Sequence, residues 1–445
     1  MRDKTMNLRA RRGVRTAIAA ALAGLVLASC GVGGEPVENP KLSKGKVTIT
    51  FNWWGADPRH QASFKAIKLF EKEHPNINVK PVYADWVGYW DRLATSTASG
   101  EMPDVNQFDQ LYLSSYAERG ALLDLSTVQK YLDTSELDPK ALEAGRVGKT
   151  PYAVPVGNTT NSILINRSLF KKYGVQLPDT ARWTWAEFKK AAAELNKASK
   201  GKVYGVGPTG SDSFSLNVWA RQHGNQLFNS KGEVSLKPSV LASYWKAILG
   251  WIKSGAAPSG SHIIEMDGVA LDQGDMINNR TGMGFIPSGQ FTSFKEGAPK
   301  IDFDMADWPS DPDTPKGSQY LKPTMYWAAS SSTQHPAEAA LFIDFLTNDQ
   351  RVAKIFGLER GIPGNPAAAK ALRATLDKPG KDLMAFSDEM SHKVGDTPPI
   401  TPKGASDIDA VLKRQYQRVL TGEADPDEAA KTFVGELKDS VDAAS

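Results

Sequence analysis

One cysteine in 445 residues excludes an intramolecular disulfide, a zinc ribbon and a CxxC redox pair. The six histidines (60, 74, 223, 262, 335 and 392) are scattered. Without an HExxH pair or other ligand spacing, no metal site is expected. No G-x-S-x-G elbow occurs, so a Ser-His-Asp hydrolase has no support. Gly205-Val206-Gly207-Pro208-Thr209-Gly210 fits GxGxxG, but Pro208 removes an amide where a phosphate cradle needs one. No acidic residue closes a second strand at the expected distance, about 20 residues on. Asp311 and Asp313 lack the glycine and closing glutamate of a calcium loop. No cofactor is therefore expected.

Charge of one sign is also missing. Residues 1–30 carry six basic side chains (Arg2, Lys4, Arg9, Arg11, Arg12, Arg15) against Asp3. Setting them aside from 53 basic and 50 acidic residues leaves 47 against 49, a net of −2. Such a chain has no electrostatic footprint for nucleic acid. The one notable apolar run, Thr16–Ala28, follows the basic stretch and has the length of an export signal, too short for a stable span. Leu27-Ala28-Ser29-Cys30 resembles a bacterial lipobox, in which the cysteine becomes the first mature residue and carries lipid. The plainer alternative is a leftover cysteine in an ordinary secretion signal. Residues 1–30 thus read as a lipoprotein signal peptide and 31–46, rich in Gly, Pro, Lys and Glu, as a flexible tether.

What is present is α/β patterning. Val47–Trp53 is a β-branched strand, followed by a helix over His60–His74 and a strand at Ile77–Tyr83. A helix at Trp86–Ser99, a strand at Val105–Phe108 and a helix at Leu111–Arg119 continue the alternation. It argues for a parallel sheet with crossover helices. Gly148–Phe170 holds two apolar strands with a polar break at Gly157–Asn161, which reads as a crossing between lobes. Beyond it, Thr184 and Glu187 form a capping box. Further helices are predicted at Ser215–His223, Ser239–Lys253 and Leu271–Asn279, with strands at Val203–Val206 and Thr281–Pro287. Asp307–Leu321 is a Pro/Asp/Gly-rich loop, and Pro323–Ser330 an extended return. Pro336–Gly357 is an amphipathic helix or helix pair, and Asp407–Val441 is helical with a break at Gly422–Pro426. At this length the chain makes two lobes.

Candidate binding residues gather at strand ends, where open α/β sheets place ligands. Trp53 and Trp54 close the first strand; alternation sends Trp53 to the core and Trp54 to the cleft. Asp57 and Arg59 follow, and Asp109 follows the third strand. Asn158 and Asn161 lie in the crossing, Trp219 and Asn225 beside a helix end, and Trp327 in the returning segment. Aromatic rings stack on the apolar C–H faces of a sugar, while Asp, Asn and Arg hydrogen-bond its hydroxyls. Any one tryptophan also has a core reading, and Arg59 and Arg360 also read as solvated surface charges. Trp86, Trp90, Trp183, Trp185, Trp245 and Trp251 are assigned to packing.

From Val47 onward the chain resembles the bacterial extracellular solute-binding proteins of ABC transporters, in the sugar-binding family that includes maltose-binding protein. The resemblance is carried by FNWWGADPRH (51–60), PDVNQFD (103–109), YAERGALLDL (116–125), GKTPYAVPV (148–156) and SILINRSLFKKYGV (162–175). TWAEF (184–188), NNRTGMGFIPS (278–288), AALFIDFLTNDQRVAKIFGLERGIPGNP (339–366) and LTGEADPDEAAK (420–431) extend it.

It implies a type II periplasmic-binding-protein fold, with discontinuous lobes joined by hinge strands around a ligand cleft. The first lobe would take 47–155 and 331–388, the second 156–325 and 389–445, with hinges near 154–163, 326–330 and 388–392. Carried over by similarity, the ligand-binding set is Trp54, Asp57, Asp109, Asn158, Asn161, Trp219, Ser288, Trp327 and Arg360, with Arg59 and Asn225 added from the residue reading. The implied protein is a monomer, exported and held by Cys30 lipid on the outer face of the cell membrane. It would capture a mono- or oligosaccharide by hinge closure and deliver it to ABC permease subunits, and it is no enzyme. The alternatives are a secreted glycoside hydrolase, whose paired acids would meet only in the fold, and a binder of an acidic solute such as a glycerol phosphate ester.

Overall fold

The computed structural model describes residues 40–444; the basic leader, Cys30 and most of the tether lie outside the described residues. The first unit runs β1 (Val47–Trp54), α1 (Asp57–Glu73), β2 (Ile77–Ala84), α2 (Trp86–Ala98), β3 (Val105–Phe108) and α3 (Gln110–Glu118). Short elements follow: α4 (Pro139–Glu143), β4 (Arg146–Val147) and β5 (Thr150–Pro151). Then comes β6 (Ala153–Thr159). The strand–helix boundaries are set by carboxylate caps. Asp85 accepts from Gly88 N at the start of α2, and Asp109 from Leu111 N at the start of α3. Each cap occupies one of the unpaired donors that every helix start exposes.

The second unit opens with β7 (Asn161–Asn166), α5 (Arg167–Tyr173), α6 (Trp185–Ala198), β8 (Tyr204–Gly207), α7 (Ser213–Gln222) and α8 (Pro238–Lys253). It continues through α9 (Gly260–Met266), β9 (Thr281–Pro287), α10 (Phe291–Gly297) and β10 (Phe303–Ala306). The capping box at Thr184 and Glu187 forms with both reciprocal bonds, and α5 stops at Gly174, whose left-handed φ of 67° costs glycine little. The helix expected over Leu271–Asn279 is only a 3-10 turn at Leu271–Gln273. Asp272, Gly274 and Asp275 favour turn geometry over helix propagation.

The chain then returns through β11 (Lys322–Ala329), α11 (Pro336–Asn348), α12 (Gln350–Phe356), β12 (Ile362–Pro363) and α13 (Pro366–Arg373). It ends with α14 (Lys378–Ser391), α15 (Ile408–Thr421) and α16 (Pro426–Ala444). Two main sheets result. The larger has order β12-β6-β11-β3-β1-β2 and the smaller β10-β7-β9-β8. β1 is parallel to both β2 and β3, so α1 and α2 are crossover helices, while β11 is antiparallel to both β3 and β6. Each sheet is covered on both faces. One face of the larger sheet packs Phe51, Trp53 and Trp327 with Phe70 and Phe342, and the other packs Trp54, Phe108 and Tyr326 with Tyr89, Trp90 and Tyr116.

This topology bears on where the chain crosses between the two sheets. All of β6 lies in the larger sheet and all of β7 in the smaller, so the first crossing narrows from 154–163 to Thr160 alone. β11 lies wholly in the larger sheet, which puts the return before Lys322 rather than at 326–330. Leu383 of α14 packs with Phe291 and Phe294 of α10, in a cluster that Leu358 and Ile362 also join, so α14 bridges both sides ahead of the expected crossing at 388–392. Lobe membership follows sheet pairing and core contacts, which strand-length segments alone do not reveal. Beyond α14 the segment 395–401 ties the lobes again. Gly395 N donates to Gln319 O (2.8 Å), and Ser114 Oγ of α3 to Thr401 O (2.5 Å).

Where β6 meets β12, backbone runs against backbone. A Cβ on Gly157 would sit 2.6 Å from Arg360 O and 2.9 Å from Ile362 O. Neither neighbour is a side-chain tip that can swing aside. Gly157→Ala should therefore destabilise the protein by about 1–3 kcal/mol, read from urea unfolding midpoints. A loss within ~0.5 kcal/mol, the range of neutral surface changes, would show that the two strands can part freely.

Candidate functional site

The carboxyl ends of β1 and β3, the crossing at Thr160 and the end of β9 converge on one edge between the sheets. On the first lobe this edge carries an aromatic wall. Trp54, 8% exposed, meets Trp86 edge-on at 5.0 Å, Tyr89 at 5.1 Å and Trp90 at 5.7 Å between ring centroids. Trp90 stacks on Tyr112 at 3.9 Å. Trp86 starts α2 directly after the cap Asp85 and is 40% exposed, the most exposed ring of this wall. Asp109 is half-buried at the start of α3 and spends one oxygen on Leu111 N at 2.9 Å. Burial, then the Asp109 carboxylate, raises the phenols of Tyr112 and Tyr326. Thus Asp109, Tyr112 and Tyr326 share one electrostatic neighbourhood.

The crossing forms the floor. Ser288 laces it: Thr160 N donates to Ser288 Oγ (3.2 Å), Ser288 N to Thr160 O (2.8 Å), and the hydroxyls of Ser288 and Thr159 pair at 3.1 Å. Asn161 donates to Ser215 Oγ (3.3 Å), and Gln319 donates to both Asn161 O and Asp307 Oδ1 at 3.1 Å. Burial raises the Asp307 carboxyl, with Lys393 nearby pulling the other way. Two acceptors here lack a protein partner, Asn158 Oδ1 and Gln319 Oε1. Buried acceptors of this kind are ordinarily met by water or ligand hydroxyls.

The lobes touch along one side of this edge. Gln110 and Tyr326 of the first lobe, Phe214, Asn217 and Tyr320 of the second, and Thr397–Thr401 enclose only about 30 Å³. That holds a water or two. A larger molecule does not fit there with the lobes in this arrangement.

Several expected site residues lie elsewhere. Trp327 is fully buried and packs edge-on against Phe51 at 5.4 Å, because alternation along β11 gives Tyr326 the cleft-side face and Trp327 the opposite one. Trp219 is 6% exposed in the second lobe's core, stacked on His223 at 4.6 Å, with its indole N–H on Ser243. Asn225 staples a loop, accepting from Lys237 N and donating to Ser235 O. Arg59 is held by Glu359 in a two-pronged pair and by Trp54 O, while Asp57 stays exposed in the first turn of α1. Arg360 is no surface charge: it is 2% exposed under the sheet. Trp54, Asp109, Asn158, Asn161 and Ser288 do come together at the edge, although Asn161 and Ser288 are engaged in holding the crossing. Trp86, assigned to packing from the sequence, and Tyr112, Tyr326 and Gln319, not singled out there, also stand at this edge; Trp86 follows the cap Asp85 at the start of α2 as Gln110 follows the cap Asp109 at the start of α3. Among the described residues no group of three or more His, Cys, Asp and Glu is placed to hold a metal, and no helix is long and apolar enough to cross a membrane.

Ser288→Ala would leave the buried Thr160 N–H without its hydroxyl acceptor. We expect a stability loss of about 1–3 kcal/mol, the cost of an unmet buried donor, measured by chemical denaturation. An unchanged midpoint would show that the crossing does not depend on this lacing.

Comparison with known proteins now bears on this geometry. The family described as bacterial extracellular solute-binding protein matches residues 58–352, well over half the chain. Over 394 residues the chain is 24% identical to the Multiple sugar-binding protein of Streptococcus mutans, covering 83% of this chain and 86% of that one. Among solved structures, an extracellular solute-binding protein family 1 member from Alicyclobacillus acidocaldarius matches with a TM-score of 0.71 and 27% identity, covering 89% of this chain and 99% of that one. A periplasmic oligogalacturonide binding protein from Yersinia enterocolitica, in complex with saturated digalacturonic acid, matches with a TM-score of 0.76. At 23% identity over 90% of this chain and all of that one, it speaks to the fold alone.

Proposed function

The chain belongs to the bacterial extracellular solute-binding proteins, a family of binders rather than enzymes, and from that premise we propose that it captures a carbohydrate for an ABC importer. The observation that carries the reading is the wall of Trp54, Trp86, Trp90 and Tyr112 beside Asp109, at the strand ends next to a one-residue crossing. Exposed indole supplies a stacking face for sugar C–H groups, and Asp109 keeps acceptor capacity beyond its one cap bond. The open form admits a mono- or oligosaccharide between the lobes. Ligand contacts made only in the closed form then shift the equilibrium, and the closed form presents both lobes to the permease. Names of relatives support the solute class: one is a Multiple sugar-binding protein.

The chain is exported in this reading and works as a monomer. Cys30 anchors it to the outer face of the membrane through lipid, with the residues beyond it as tether. A relative 28% identical over 196 residues, covering 43% of this chain and 42% of its own length, is described as an uncharacterized lipoprotein of Streptomyces antibioticus and supports the anchor.

Two measurements test these statements. Calorimetry across a panel of mono- and oligosaccharides should give at least one ligand of micromolar affinity, and Trp86→Ala should weaken it by about 1–3 kcal/mol, the scale of a buried aromatic face. The half-exposed ring predicts little change in unfolding midpoint. A silent panel would sink the sugar reading; full affinity in the variant would remove Trp86 from the site. For the anchor, cells fed an alkynyl fatty acid should label the wild-type protein and not Cys30→Ala, and label retained by the variant would reject Cys30 as the attachment point.

A further inference from the structure

Among the described residues Arg360 is the one strongly buried guanidinium in the first lobe, and its surroundings supply fewer acceptors than donors. Its Nη2 donates to Ser63 Oγ (2.8 Å) and its Nε to Gln107 Oε1 (3.3 Å), while Nη1 has no partner. The guanidinium carbon lies 4.3 Å from the centre of the Phe356 ring and 5.5 Å from that of Trp327. Gln107 Nε2 and Trp327 Nε1 are also buried without a partner. These two residues face each other across the β3–β11 ladder, so their side chains leave the sheet on the same side. Three unmet N–H donors therefore hang on residues in mutual contact, each at most 2% exposed.

Charge does not balance here either. The neighbouring carboxylate, Glu359, is taken by Arg59 through bonds of 2.7 and 2.9 Å. Among the described residues no carboxylate pairs with Arg360. Two guanidiniums thus share one acid. Burial, followed by the Arg59 charge, pushes the Arg360 guanidinium down to about 9, which still leaves it protonated at neutral pH. A water molecule could accept from these donors but would leave the charge uncompensated. An anion meets both needs, because burying an unpaired charge is far costlier than burying a paired one.

We propose that the corner formed by Arg360, Gln107 and Trp327 is a binding site for one small monovalent anion, of halide or carboxylate size. The backbone of Arg360 lies at the cleft edge of the larger sheet, where its carbonyl accepts from Thr324 Oγ1 (2.5 Å) just before β12 pairs with Asn158. The three side chains lie on the face of the sheet opposite the cleft-side aromatic wall and are closed off from solvent, so the anion is a dissolved ion and not part of a captured solute.

The test uses the mature chain. Thermal unfolding is followed while sodium chloride or sodium formate replaces sodium HEPES at constant ionic strength. A saturable rise in midpoint is expected, and it should be lost in Arg360→Met. Should that variant not fold, Gln107→Met keeps the guanidinium and should weaken the anion by about tenfold, the scale of one charge-assisted hydrogen bond. Flat midpoints in the wild-type chain, or a response that persists unchanged in Arg360→Met, overturn the site, and they leave sugar capture as a separate matter, decided by the panel above.

Discussion

Everything about this molecule's moving parts depends on how the chain gets from one sheet to the other. Its first crossing is a single residue, Thr160, between a strand fully paired in the larger sheet and one fully paired in the smaller. A buried crossing has backbone groups that neither sheet can satisfy, so they must find other partners. Ser288, at the end of β9, supplies them with its hydroxyl and its amide. The result is a one-residue link whose backbone groups stay hydrogen-bonded between two fully paired strands. Rotation about such a joint is the expected motion of a two-lobed binder.

The cleft wall illustrates how one lobe can be both core and surface. Trp54 and Trp90 sit in the aromatic cluster that covers one face of the larger sheet, yet Trp86, in contact with both, is open to solvent. A ring fixed by edge-on neighbours has already lost its rotational freedom. Stacking a sugar on it then costs less ordering than stacking on a free side chain. The second lobe brings fewer rings to the edge, since Trp219, Trp245 and Trp251 are spent on its interior.

Beneath the same sheet, the Arg59, Glu359 and Arg360 group shows a different economy. Glu359 answers one guanidinium and leaves the other facing aromatic rings and amide donors. Cation–π contact compensates part of the lost hydration, but donors without acceptors remain. Because Gln107 and Trp327 are strand residues, the donors are held by the ladder itself rather than by flexible loops.

Local chemistry was readable from the residues. The Thr184–Glu187 capping box, the break at Gly422 and the inward turn of Trp53 against Trp54 all depend on neighbours within a few positions. Strand–helix alternation likewise gave an α/β chain in two lobes, and strand ends pointed to Trp54 and Asp109. What the residues alone left undecided was every contact made across the sheets. Whether β11 pairs antiparallel with β6, and therefore whether Trp327 or Tyr326 faces the cleft, depends on a partner some 170 residues away. Trp86 and Trp219 look alike in sequence, each near the end of a helix. One is exposed and the other buried because only one of them has a helix, α8, packed over it. The fate of Arg360 was equally hidden, for a charged residue is buried only when distant elements close around it, and that closure is decided by tertiary packing.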